Sequence, residues 1–86
     1  MEEMEKKLTK AEIWYGFLRI PSKFSEIFPN EKGEFDFIIN GNKTILSYHP
    51  KYRRIFGLGK WYKQFKAKEG TNVKVIKIGR GYKFLI

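Results

Sequence analysis

Apolar and polar positions alternate along most of this chain in short runs, as in strands buried on one face, and only two stretches repeat at helical spacing. The first seven residues, MEEMEKK, are polar and are expected to fray. Residues 12–20, EIWYGFLRI, are rich in β-branched and aromatic side chains and predict a strand. Ile20 is held extended by Pro21. Pro21 and Ser22 then open a short helix in which Phe24, Ile27 and Phe28 share a face, and Pro29 stops it.

Residues 34–48 predict a hairpin. Phe35, Phe37 and Ile39 alternate with Asp36, Ile38 and Asn40, and Asn40, Gly41 and Asn42 accept the positive φ of a tight turn. The run that follows is extended but bent by Pro50. Leu58, Trp61 and Phe65 form a helical stripe with Tyr62 beside it, Lys60, Lys63, Lys66 and Lys68 cover the remainder, and Gly70 marks the stop. Trp61 and Phe65 are therefore assigned to the core. Residues 71–86 predict a second hairpin around Gly79 and Gly81, and the phase slip between Val75 and Ile76 calls for a bulge or for burial on both faces.

The order strand, helix, hairpin, bent strand, helix, hairpin predicts a mainly β (α+β) fold, a compact barrel with two short helices at its ends. With 86 residues there is room for one domain, placed at 8–86 behind a frayed 1–7. A core this small depends on large rings, and 17% of the residues are aromatic.

Charge changes the picture. The net charge is +9, and it is unevenly spread. Residues 1–43 hold seven Lys/Arg and eight Asp/Glu, whereas residues 44–86 hold eleven Lys/Arg and one acid, Glu69. Such asymmetry raises self-repulsion and points to an anionic partner rather than to solubility alone. No apolar run approaches the length of a membrane span, the start is too charged for a secretory signal, and there is no cysteine. The expectation is a cytoplasmic protein with no membrane partner.

Reactive chemistry is sparse. A triad of Ser47, His49 and Asp36 would lack the strand-turn-helix setting of a nucleophile, and a lone histidine does not make a His-rich metal site. Acids fall in the start (Glu2, Glu3, Glu5) and before the hairpin (Glu31, Glu34), with no pair suited to Mg²⁺. GLGK at 57–60 lacks the spacing of a phosphate loop. No catalytic residue, metal or cofactor is expected, and the chain is read as a binding protein rather than an enzyme.

Two segments carry a resemblance. LTKAEIWYGFLRIPSKFSEIFP is similar to the opening of plant B3 DNA-binding domains. GLGKWYKQFKAKEGTNVKVIKI is similar to that family's Gly-x-Trp-x-x-Phe helix, turn and strand, here Gly59, Trp61, Phe65 and Gly70. The same fold occurs in recognition domains of restriction endonucleases of the EcoRII and BfiI kind. The resemblance spans about residues 8–78. It implies an open seven-stranded β-pseudobarrel that enters the DNA major groove with two arms. The first arm maps to Thr9–Arg19, with Lys10, Trp14, Tyr15 and Arg19 as candidates and with Glu12 inside it. The second maps to Ser47–Arg54 and includes His49.

The residues themselves agree on the second arm. Adjacent Arg53 and Arg54 point to opposite faces of an extended segment, and one of them suits guanine O6 and N7. Lys43, Lys51 and Lys60 are candidate phosphate contacts, and Tyr48 and Tyr52 either donate to phosphate or pack. The expected function is sequence-specific binding of double-stranded DNA, alone or as the recognition module of a nuclease domain or subunit. The alternatives are a small barrel that binds RNA or single strands, and an interaction module for an acidic protein.

Overall fold

The computed structural model describes residues 2–86. In chain order they form β1 (Glu3–Lys7), α1 (Lys10–Tyr15), β2 (Phe17–Arg19), a 3₁₀ helix (Ser22–Ile27), β3 (Gly33–Ile39), β4 (Asn42–His49), β5 (Arg54–Phe56), α2 (Gly59–Gln64), β6 (Asn72–Ile78) and β7 (Gly81–Leu85). All seven strands lie in one sheet of order β1-β6-β7-β3-β4-β5-β2. Only β3 and β7 run parallel. The sheet curls strongly into an open half-barrel, and short helical segments pack against it.

The central hairpin forms as its pattern predicts. Asn40 (φ 45°) and Gly41 (φ 89°) make a two-residue turn that pairs Ile39 with Asn42. Phe37, Ile39, Leu46 and Tyr48 face inward. Tyr82 and Phe84 of β7, Val73 and Val75 of β6, Ile55 of β5 and Leu18 of β2 complete that face. Phe28, just past the 3₁₀ helix, stacks on Tyr48 at 4.7 Å and on Tyr82 at 4.4 Å between ring centroids. Ring pairs of this kind add about 0.5–1.5 kcal/mol each beyond their burial.

Several expectations are corrected. Of the residues 1–7 expected to fray, Glu3–Lys7 form β1, paired with β6 from Glu3↔Ile76 to Lys7↔Asn72, and Met1 lies outside the described residues. Met4 is buried against the core, while Glu3 and Glu5 lie outside, beside Lys74. Residues 12–20 are not one strand: α1 occupies their first part, Gly16 (φ 71°) ends it, and only Phe17–Arg19 is β. The cause is a capping box. Thr9 Oγ1 accepts from the Glu12 N–H and the Glu12 carboxylate accepts from the Thr9 N–H. A side chain at Gly16 would also collide with the backbone of Gly59, 2.8 Å from its nitrogen, where α1 meets the start of α2.

The second helix is shorter than predicted. It ends in a Schellman motif centred on Lys66 (φ 54°), with the Ala67 N–H donating to Tyr62 O and the Lys66 N–H to Lys63 O. Gly70 lies beyond it in a turn. The β6–β7 register runs unbroken from Lys74↔Leu85 to Ile78↔Gly81, so no bulge forms at Val75–Ile76. Among the described residues, no helix is long and apolar enough to cross a membrane.

Two buried tyrosine hydroxyls fasten the helical segments. Tyr62 Oη donates to Phe17 O at 2.9 Å, and Tyr82 Oη donates to Ile27 O at 3.0 Å. Burial pushes both phenols up, Tyr82 to about 12, with Glu12 adding to Tyr62 and Glu2 to Tyr82. Burial also raises Tyr48, against a smaller lowering by Arg53. The folded state therefore holds these protons more tightly than the unfolded chain, whose tyrosines ionise near pH ~10. That stabilisation is complete below about pH 10 and is lost as pH rises through the folded values. The urea midpoint is expected to fall steeply between about pH 10 and 12, with tyrosinate absorbance from these rings appearing together with unfolding. A midpoint that holds steady across that interval would contradict the assignment.

Candidate nucleic-acid interface

The candidate interface is built on one carboxylate. Glu12 is 1% exposed. Its Oε2 accepts from Lys6 Nζ at 2.8 Å and from the Arg19 N–H at 2.7 Å, and its Oε1 accepts from the Thr9 N–H at 2.8 Å. Lys6 Nζ also donates to Arg19 O at 3.1 Å. Lys6 belongs to β1 and Arg19 to β2, the two outer strands of the sheet. Side chains thus join the edges that no ladder joins. Within the first arm the only acid is spent on this clasp, and it presents no negative charge to solvent.

Beyond the clasp, β2, β5 and β4 bring the two predicted arms side by side. Arg19 pairs with Arg54, and Arg54 pairs with His49. One step along, Phe17 pairs with Phe56, and Phe56 with Ser47. Cross-strand partners share a face, so Arg19, Arg54 and His49 form one row on the face opposite buried Leu18, Ile55 and Tyr48. The row is supported by rings. The Arg54 guanidinium lies 4.6 Å from the Phe17 ring centre and 5.9 Å from that of Tyr52. The His49 ring meets Phe56 edge-on at 4.9 Å.

The turn between β4 and β5 is compact. The Tyr52 N–H donates to His49 O and the Arg53 N–H to Pro50 O, and Arg53 adopts φ 51°. The Ile20 N–H binds Arg53 O at 2.7 Å, which ties this turn to the end of the first arm. Lys51 and Tyr52 are exposed at the tip. Arg53 turns the other way and lines a hollow with Ser25, Glu26, Phe28, Tyr48 and Pro50. The two arginines do diverge, but through a left-handed residue rather than through strand alternation.

A separate groove runs between α1 and α2. It gathers Trp14, Tyr15 and Lys60 with Lys63 and Lys66. Trp14 and Tyr15 are 78% and 73% exposed. Tyr15 also borders a cleft holding Phe17, Arg54 and Phe56.

The predicted residues thus divide. Arg19, Ser47, His49, Lys51, Tyr52 and Arg54 fall in one area, and Trp14, Tyr15 and Lys60 fall in the neighbouring groove. Lys10 is exposed at the start of α1. Tyr48 is corrected to core: it is 2% exposed and stacked on Phe28, because alternation along β4 turns Leu46 and Tyr48 inward together. Lys43 sits by the Asn40–Gly41 turn at the far end of β4, roughly 20 Å along the strand from His49. Phe17, Phe56, Lys63 and Lys66 were not singled out as site residues. For the lysines, their spacing from Lys60 was the available signal; for the rings there was none, since their neighbours come from distant segments.

Among the described residues, the ion pairs are Lys6–Glu12 and Lys74 with Glu3 and Glu5. The cations of the arms and of the α1–α2 groove therefore have no carboxylate partner. No three His, Cys, Asp or Glu side chains gather around a possible metal position among those residues.

No protein-family description matches the chain, and no curated protein does. The solved structure of a hypothetical Arabidopsis thaliana protein is similar over 95% of this chain and 85% of that one, with a TM-score of 0.68 at 17% identity. At that identity the likeness speaks for the fold.

Replacing Glu12 by Ala strips acceptors from Lys6, Thr9 and Arg19 at once. Removing one member of a buried pair is expected to cost about 3 kcal/mol in urea unfolding, near the lower end for such pairs because Lys6 reaches solvent. A loss below about 1 kcal/mol would place the clasp among ordinary surface ion pairs.

Proposed function

We propose that this chain binds double-stranded DNA through the β2–β5–β4 end of its sheet, with Arg54 and Arg19 reading base edges. The observation behind this reading is the row of Arg19, Arg54 and His49, drawn from two distant segments onto adjoining strands, with none of its side chains in an ion pair among the described residues. Adjacent strands lie about 4.8 Å apart, so the row is roughly 10 Å wide, and the major groove is about 12 Å wide. Arg54 rests on Phe17, which limits the freedom its planar fork would otherwise lose on pairing with guanine. Lys10 and Lys51, exposed on either side, suit phosphates, which set position without reading sequence. The resemblance to B3 domains supports the same reading. Whether the chain acts alone or serves a nuclease on another domain, the reading surface is the same.

The exposed rings of Trp14, Tyr15 and Tyr52 favour a second reading, a single-strand binder that stacks bases. Competition between duplex and unpaired oligonucleotides separates the two. Little affinity for either at moderate salt would leave the acidic-protein module.

Around five phosphate contacts give a log–log salt slope of roughly −4.5 for duplex binding. Arg54→Ala is expected to weaken binding to a selected site by about 5- to 150-fold, equivalent to about 1–3 kcal/mol, and to relax preference at one base. Arg53→Ala, facing the 3₁₀ helix, is expected to do less. Fluorescence anisotropy on a selected duplex measures both variants. If neither changes affinity, the second arm is not the reading element.

A further inference from the structure

The duplex-reading row leaves the α1–α2 groove unexplained. Its volume is about 840 Å³, and no acid lines it. Trp14 and Tyr15 leave most of their surface in water there, unlike the other tryptophan, Trp61, which is 7% exposed. Lys60, Lys63 and Lys66 supply positive charge along the same groove. Lys66 is held at φ 54°, where a helix-ending motif favours glycine, so a lysine occupies this position against its backbone preference. Gly16, Gly57 and Gly59 leave the groove's backbone bare of side chains.

Ring faces for bases and ammonium groups for phosphates are the two requirements of a single-strand site. A duplex does not meet the first, because its bases are already stacked on one another. Tyr15 borders both this groove and the cleft around Arg54, so the two surfaces are continuous. We propose that the groove takes an unpaired extension of the DNA whose duplex lies on the Arg19–Arg54–His49 row, making the preferred ligand a duplex with a single-stranded tail. The proposal rests on the duplex reading above.

The test compares one duplex, blunt or with a ten-nucleotide oligothymidylate tail, by anisotropy and by tryptophan emission. The tail is expected to tighten binding at least about fivefold and to quench Trp14, while buried Trp61 serves as the internal reference. The double variant Lys63→Gln, Lys66→Gly removes two charges, and glycine accepts the left-handed backbone at 66. It is expected to abolish the tail's advantage, to reduce the salt slope for free oligothymidylate by about 1.4, and to leave blunt-duplex affinity within about twofold. No gain from the tail, or a gain that survives in the double variant, overturns the proposal while the duplex reading stands. Equal quenching by a poly-glutamate peptide also overturns it, since charge alone would then suffice. Quenching by free oligothymidylate that needs Lys63 and Lys66, with no binding of blunt duplex, upholds the groove and removes the duplex reading.

Discussion

A seven-stranded sheet this curled has two free edges, and here they are held by the Glu12 carboxylate. It accepts from the Lys6 ammonium of β1, the Arg19 amide of β2 and the Thr9 amide that opens α1. Burying a carboxylate is costly, and the cost is offset only because a cation and two backbone donors meet it in good geometry. What such a group confers best is uniqueness of arrangement. An apolar side chain at position 12 would fill space, but it would neither cap α1 nor fix where β2 leaves it. The edges are closed by side chains, so β2 needs only three residues, and the chain can leave it quickly toward the 3₁₀ helix.

The same clasp shapes the electrostatics. Of the other acids on the sheet, Glu3 and Glu5 sit on β1 beside Lys74, and Glu34 and Asp36 lie on β3, with Glu34 opposite Ser47. The acid within the first arm, Glu12, is consumed inside. The β2–β5–β4 end is therefore left with cations supported by rings: Arg54 on Phe17 and Tyr52, His49 against Phe56, Lys51 above Tyr52. Uncompensated charge of this kind lowers folded-state stability.

What the sequence reveals follows the range of each interaction. The β3–β4 hairpin is legible because Asn40–Gly41 and the flanking alternation are local, and β6–β7 is legible for the same reason. The face of α2 is legible in Leu58, Trp61 and Tyr62. The start is misread because Glu3–Lys7 turns Glu3, Glu5 and Lys7 outward while Met4 enters the core and Lys6 reaches Glu12, and only pairing with β6 selects that structure. EIWYGFLRI is misread because β propensity outweighed a capping signal, Thr9 and Glu12, that was present in the chain. In the candidate site, the diverging arginines are visible locally. The row that joins Arg19 to Arg54 and His49 is not, since it exists only once residues 17–19 pair with 54–56. Tyr48 is misassigned because an arm was drawn through a strand whose alternation points that ring inward.

The clasp is tested most directly at one backbone proton. The Arg19 N–H binds the Glu12 carboxylate, so its protection against solvent exchange reports the clasp itself. Native-state hydrogen exchange followed by NMR is predicted to show this amide opening only with global unfolding, alongside the amides of the β3–β4 hairpin. An Arg19 amide that exchanges as freely as an exposed edge, while that hairpin stays protected, would mean that the barrel seam is open and that Glu12 does not join β1 to β2.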